Sequence, residues 1–156
     1  MPGPRLCTFS LGDALFGLEV HRVQEVLRPR EATRVPLARS NIRGLINLRG
    51  QIVMAIDLRL CLGLESVSID HPSMNLVLRT DDGPVSFLVD RAYDVVDVDV
   101  STFEPPPANL AGPRRELIRG TYLYGGRLIH VLDADAVLGL IEQGSPGDPV
   151  ESGPSR

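Results

Sequence analysis

NIRGLINLRGQIVMAIDLRLCLGL (residues 41–64) returns as LIRGTYLYGGRLIHVLDADAVLGL (residues 117–140), aligned without a gap at an offset of 76. Ile42/Ile118, Arg43/Arg119, Gly44/Gly120, Gly50/Gly126, Asp57/Asp133, Leu62/Leu138, Gly63/Gly139 and Leu64/Leu140 are identical. A fainter match at an offset of 69 joins VHRVQEV (20–26) to VDRAYDV (89–95). One small unit is therefore present twice.

Working outward, each copy reads as β-rich. In the first, LCTFSL (6–11) and FGLEV (16–20) flank a Gly12-Asp13 turn and predict a hairpin. VHRVQEVL (20–27) predicts a short turn or strand closed by Pro29. LINLR (45–49) and IVMAID (52–57) predict a second hairpin, with Gly50 supplying a positive φ at the turn. Asp57 then caps one short helix that Gly63 ends. The second copy repeats the order: MNLVLRT (74–80) with VSFLVD (85–90), the alternating DVVDVDV (94–100), a last hairpin, and a helix capped by Asp133. Neither copy buries much alone, so two small curled sheets sharing a core are expected, with closure removing their edges.

At 156 residues the chain makes one ordinary domain or two very small ones, not a large multidomain enzyme. It is 43% hydrophobic but only 4% aromatic, without Trp, so the core must be aliphatic. Its 15 Gly and 13 Pro argue for many turns and against a helical bundle. Residues 142–156, EQGSPGDPVESGPSR, are expected to form a disordered tail, since they hold too little apolar surface to offset ordering. All 16 basic residues are Arg, and the net charge of −4 gives no general attraction to nucleic acid or anionic membrane. No apolar run approaches a membrane span and no secretory segment is recognisable, so a cytoplasmic protein is expected. Cys7 and Cys61 fit buried small hydrophobes, and two Cys with three scattered His do not make a metal site.

Asp57 and Asp133 are better explained as matching helix caps than as a catalytic pair. His130 lies in an apolar strand with no nucleophile or base at an interpretable spacing. The glycines lack phosphate-loop spacing. No enzyme is expected; a small hydrolase using Asp57 or His130 is the alternative from another class. Charge is more informative. Residues 22–49 carry seven Arg against Glu25 and Glu31, and residues 81–104 carry seven acids against Arg91. Two such faces suit a protein that docks two different partners. The repeat also exposes an asymmetry: Arg49, in NLRGQ, has Gly125 as its counterpart. The architecture therefore does not require Arg49. Glu25 is the candidate to hold it, leaving part of the guanidinium for a carboxylate on a partner.

The stretches FSLGDALFGLEVHRVQEVL (9–27), TRVP (33–36) and IRGLINLRGQIVMAIDLRLCLGL (42–64) closely resemble the CheW-like family of bacterial chemotaxis coupling proteins, and residues 85–98 and 118–138 resemble its C-terminal half. The resemblance spans about residues 6–141 and implies an all-β fold with minor short helices. This consists of two intertwined five-stranded SH3-like β-barrel subdomains. It implies a single domain over 5–141, with subdomains at about 15–70 and 71–141 and residues 5–14 a candidate for exchange between them. It implies a non-catalytic adaptor without cofactor, cytoplasmic and recruited to receptor arrays. Its partners would be the regulatory domain of a chemotaxis-type histidine kinase and the cytoplasmic tip of methyl-accepting chemoreceptors, with no nucleic acid and no membrane insertion. The family's partner-binding positions fall on Val23, Glu25, Gly44 and Arg49. Two departures, Met54-Ala55 in place of Pro-Val and Ala38-Arg39 in place of a second proline, leave open a related pathway (gliding, pili or another output) whose adaptor binds only one partner.

Overall fold

Four antiparallel hairpins account for eight of the ten strands among the described residues: β1 (Pro2–Leu11) with β2 (Ala14–Glu19), β4 (Ile42–Leu48) with β5 (Gln51–Asp57), β6 (Met74–Leu78) with β7 (Val85–Val89), and β9 (Ile118–Tyr124) with β10 (Arg127–Leu132). The remaining two, β3 (Val23–Leu27) and β8 (Arg91–Asp99), follow the first and third hairpins. The computed structural model describes residues 2–35, 41–65, 71–106 and 113–143. Of the expected tail 142–156, Glu142 and Gln143 instead end the last helix and residues 144–156 lie outside the described residues, as does the Ala38-Arg39 departure. Helix α1 (Leu58–Cys61) follows β5, α2 (Pro113–Leu117) precedes β9, and α3 (Ala134–Gln143) follows β10. Asp57 accepts from Leu60 N at 3.3 Å and Asp133 from Ala136 N at 3.0 Å, so both carboxylates cap their helices as the sequence suggests.

The strands form two mixed five-stranded sheets, ordered β8-β1-β2-β10-β9 and β3-β6-β7-β5-β4. Equivalent strands occupy equivalent places, but each sheet takes a hairpin from one repeat and three strands from the other. The chain changes sheet at two short links. Val20–Arg22, one 3₁₀ turn, separates β2 from β3, and across it the chain passes to the opposite sheet. Asp90 alone separates β7 from β8 and does the same in reverse.

The expected closed SH3-like barrels do not form. In each order the edge strands, β8 and β9 or β3 and β4, stay unpaired with one another. A single two-bond bridge spans each gap instead: Thr33 with Leu45 beside β4, and Glu104 with Thr121 beside β9. Proline keeps these bridges short. Pro29 stands between β3 and Thr33, and Pro105-Pro106 follow Glu104. They deprive the crossing segments of N–H groups that would lengthen each bridge into a closing ladder. The exposed edge β8 is blunted by charge, with Arg91, Asp94, Asp97 and Asp99 along it.

Among the described residues three apolar clusters hold the fold together. The largest lies between the sheets and joins Phe9, Phe16 and Leu18 to Ile56, Leu76, Phe87 and the helix residues Leu58 and Val137. The other two fill the curl of each sheet with equivalent positions: Ile46, Val53 and Ala55 in one, Tyr122, Ile129 and Val131 in the other. Beside the aliphatic residues, Ser86 Oγ donates to Asn75 Oδ1 at 2.8 Å with both residues fully buried. Ser86→Ala should cost about 1–3 kcal/mol by removing that donor from a buried acceptor. A urea titration would show it as a lower midpoint with unchanged slope.

Candidate partner-binding surface

The Arg49-Gly50 turn joins β4 to β5 with φ of 52° and 84°, and its counterpart Gly125-Gly126 has 58° and 81°. Two successive positive φ values make the two-residue turn that matches strand twist. Arg49 is the only non-glycine with positive φ among the described residues. A β-carbon is disfavoured there, and Gly125 shows that the turn forms without one. From this strained position the guanidinium reaches back to β3, on the opposite edge of the sheet. Nη1 donates to Glu25 Oε2 at 2.9 Å and Nη2 to Oε1 at 2.5 Å, a bidentate pair. Arg30 Nη1 adds a donation to the Asn47 carbonyl at 3.0 Å. These side chains thus tie together edges that the backbone leaves apart.

The Arg49 hydrogen bonds, helped by a weaker one from Gln24, hold the Glu25 carboxyl down from its usual 4.5 to about 2. The folded value is depressed, so the pair's contribution is complete above pH 4.5 and fades as pH falls through about 2. An NMR titration of the Glu25 side chain should find its midpoint near 2 in the wild type and in the ordinary glutamate range in Arg49→Gly. Most of Arg49 faces solvent, with its side chain 67% exposed against 22% for Glu25.

Val23 lies two residues before Glu25 on β3, half-buried against the shared core. Its carbonyl accepts from Arg79 Nη1 at 2.7 Å, as does that of His21 at 3.0 Å, which fixes the segment leading into the strand. The structure therefore brings Glu25 and Arg49 together, whereas an irregularity in the pairing of β3 with β6 turns Val23 to the opposite face, toward the shared core. Gly44 is placed differently. It is buried in β4 under the crossing segment, where a Cβ would sit 2.4 Å from the Thr33 carbonyl oxygen. Gly120 has the same relation to the Glu104 carbonyl, also at 2.4 Å. Both glycines admit a backbone bridge, and the recurrence of Gly44 at Gly120 was the sequence signal for that role.

Beside the Arg49 hairpin runs a groove of about 890 Å³, walled by Leu45, Ile52 and Met54 on one side and by Asp135 and Leu138 of α3 on the other. Ile52 is 60% exposed there, a large apolar side chain at a polar-rimmed concavity. Sequence reasoning did not find this groove, because its walls come from segments about 80 residues apart. A second cavity of about 530 Å³ on the other sheet is lined by Phe16, Phe103, Leu123, Leu128 and His130. The His130 ring packs 5.5 Å from that of Phe16. Both cysteines are buried free thiols. Burial, with the nearby Asp57 charge, pushes Cys61 up to about 12, and burial raises Cys7. Among the described residues no cluster of His, Cys, Asp or Glu could hold a metal, and no helix is long and apolar enough to cross a membrane.

Residues 5–142 match the CheW-like domain. The chain belongs to the CheW-like family. As a CheW-like protein it is a non-catalytic adaptor of chemotaxis-type signalling. It is 30% identical over 136 residues to the chemotaxis protein CheW of Bacillus subtilis, covering 87% of each chain. It is 29% identical to that of Klebsiella aerogenes, covering 87% of this chain and 82% of the other. The fold resembles the crystal structure of the scaffolding protein TtCheW from Thermoanaerobacter tengcongensis with a TM-score of 0.75 at 27% identity, covering 85% and 90% of the two chains.

Proposed function

We propose that this CheW-like chain couples the cytoplasmic tips of methyl-accepting chemoreceptors to the regulatory domain of a chemotaxis-type histidine kinase, and that these contacts recruit it from the cytoplasm to receptor arrays. Val23, Glu25 and Arg49 are its contact residues, and the polar-rimmed groove beside the Arg49 hairpin, with Ile52 exposed in it, suits a helical receptor tip. Gly44 serves this surface indirectly by seating the segment that crosses β4.

The observation that carries the reading is Arg49: a guanidinium held by a bidentate pair in a backbone conformation that favours glycine, where the related turn uses Gly125. Local rules are broken at functional positions more readily than elsewhere. Pull-down with a receptor-tip fragment and, separately, with the kinase regulatory domain tests the reading. Binding to both supports it, binding to one alone replaces it with an adaptor of a related pathway, and binding to neither overturns it.

A further inference from the structure

The two repeats keep the same ion pair where it lies within one group of three strands, and reverse it where it passes between repeats. Arg43 Nη2 lies 2.8 Å from Asp57, and the equivalent Arg119 Nε lies 3.7 Å from Asp133. Position 59 and its equivalent 135 instead carry opposite charges, Arg59 in α1 and Asp135 in α3. Each reaches the point where the other repeat's hairpin leaves the sheet. Arg59 Nη2 lies 2.5 Å from Asp90 Oδ2, with Nε at 3.3 Å from Oδ1, and both side chains are mostly buried. Gly12 N also donates to Asp90 at 2.7 Å, and His71 Nε2 stands 3.5 Å away. At the other crossing Asp135 Oδ1 lies 3.1 Å from Arg22 Nη2.

Asp90 aligns with His21 at the offset of 69, and Arg22 is its neighbour. The molecule is in effect a dimer of related units folded from one chain, each lending its hairpin to the other. The same exchange is geometrically open to two first units, or two second units, from separate chains. A union of first units would set Arg59 against His21 and Arg22. A union of second units would set Asp135 beside Asp90, with Arg91 next to it, so discrimination is sharpest between first units.

We propose that the reversed pairs Arg59–Asp90 and Arg22–Asp135 form a charge code that favours the exchange of hairpins between the two repeats of one chain over exchange between like repeats of two chains. Reversal of sign across a repeated contact is the way paired helices choose unlike partners.

The full chain, unfolded in denaturant and refolded at high concentration, tests this by light scattering after size exclusion. R22D/D135R restores the ion pair within the chain but makes both like-repeat unions attractive as well. R22Q/D135N removes the pair and leaves those unions neutral. The code requires the dimer fraction to rise from wild type to the neutral variant to the swapped variant, by about fivefold overall. A pair that only stabilises the fold requires the reverse, with the swapped variant behaving as wild type and the neutral one worst. Either a wild-type dimer fraction in R22D/D135R or a higher one in R22Q/D135N overturns the proposal. Both variants spare Asp90 and its Gly12 bond, and circular dichroism confirms that the monomer peak has refolded.

Discussion

Arg49→Glu should lower affinity for a receptor-tip fragment by at least about tenfold, the loss expected when a central arginine of an interface is reversed. The introduced carboxylate would face Glu25 and repel the acidic partner group that the free part of the guanidinium is suited to meet. Arg49→Gly separates function from folding. It gives this turn the residue already used at Gly125, so the melting temperature should stay within about 4 °C of wild type while affinity still falls. Calorimetric titration alongside thermal unfolding distinguishes the cases. Unchanged affinity in both variants would remove Arg49 from the contact surface.

Gly44→Ala should act in the opposite way, through the fold. Its Cβ would sit 2.4 Å from the Thr33 oxygen and 3.3 Å from the Ala32 Cβ, and the nearer neighbour is backbone. The crossing segment must lift, breaking both hydrogen bonds between Thr33 and Leu45. Overpacking of this kind costs about 1–3 kcal/mol, or roughly 2–12 °C in melting temperature for a chain of this size. Gly120→Ala should be at least as severe, since its Cβ would also meet the Phe103 ring at 2.5 Å. Any loss of partner binding in Gly44→Ala should track the lost stability and recover on cooling or at low denaturant. Full stability with lost binding would instead make Gly44 a direct contact.

The hairpins, the two helix caps and the Arg49–Glu25 pair were legible in the sequence because each depends on local rules or on a difference between aligned copies. Gly12 marks its turn without knowledge of distant residues, and Gly125 makes Arg49 conspicuous by comparison alone. Barrel closure was not legible. Whether β3 meets β4 depends on where the chain beyond Pro29 travels, and alternation within a strand carries no information on what lies at its edge. The role of Gly44 was signalled only by its recurrence at Gly120, without its cause, because the Thr33 carbonyl that excludes a side chain comes from a segment without regular structure. The groove beside Met54 is formed by α3, more than a repeat away, and only the tertiary arrangement discloses it.

The exchange of hairpins also orders events in time. On the ribosome, β1 and β2 emerge early, yet their sheet is completed by β8 and by β10, which ends at Leu132. At roughly 5–20 residues per second of synthesis, the first hairpin waits several seconds with Phe9, Phe16 and both strand edges uncovered. The nascent chain therefore passes through a sticky stage that the finished protein never shows, and chaperone dependence should be greatest for the amino-terminal third.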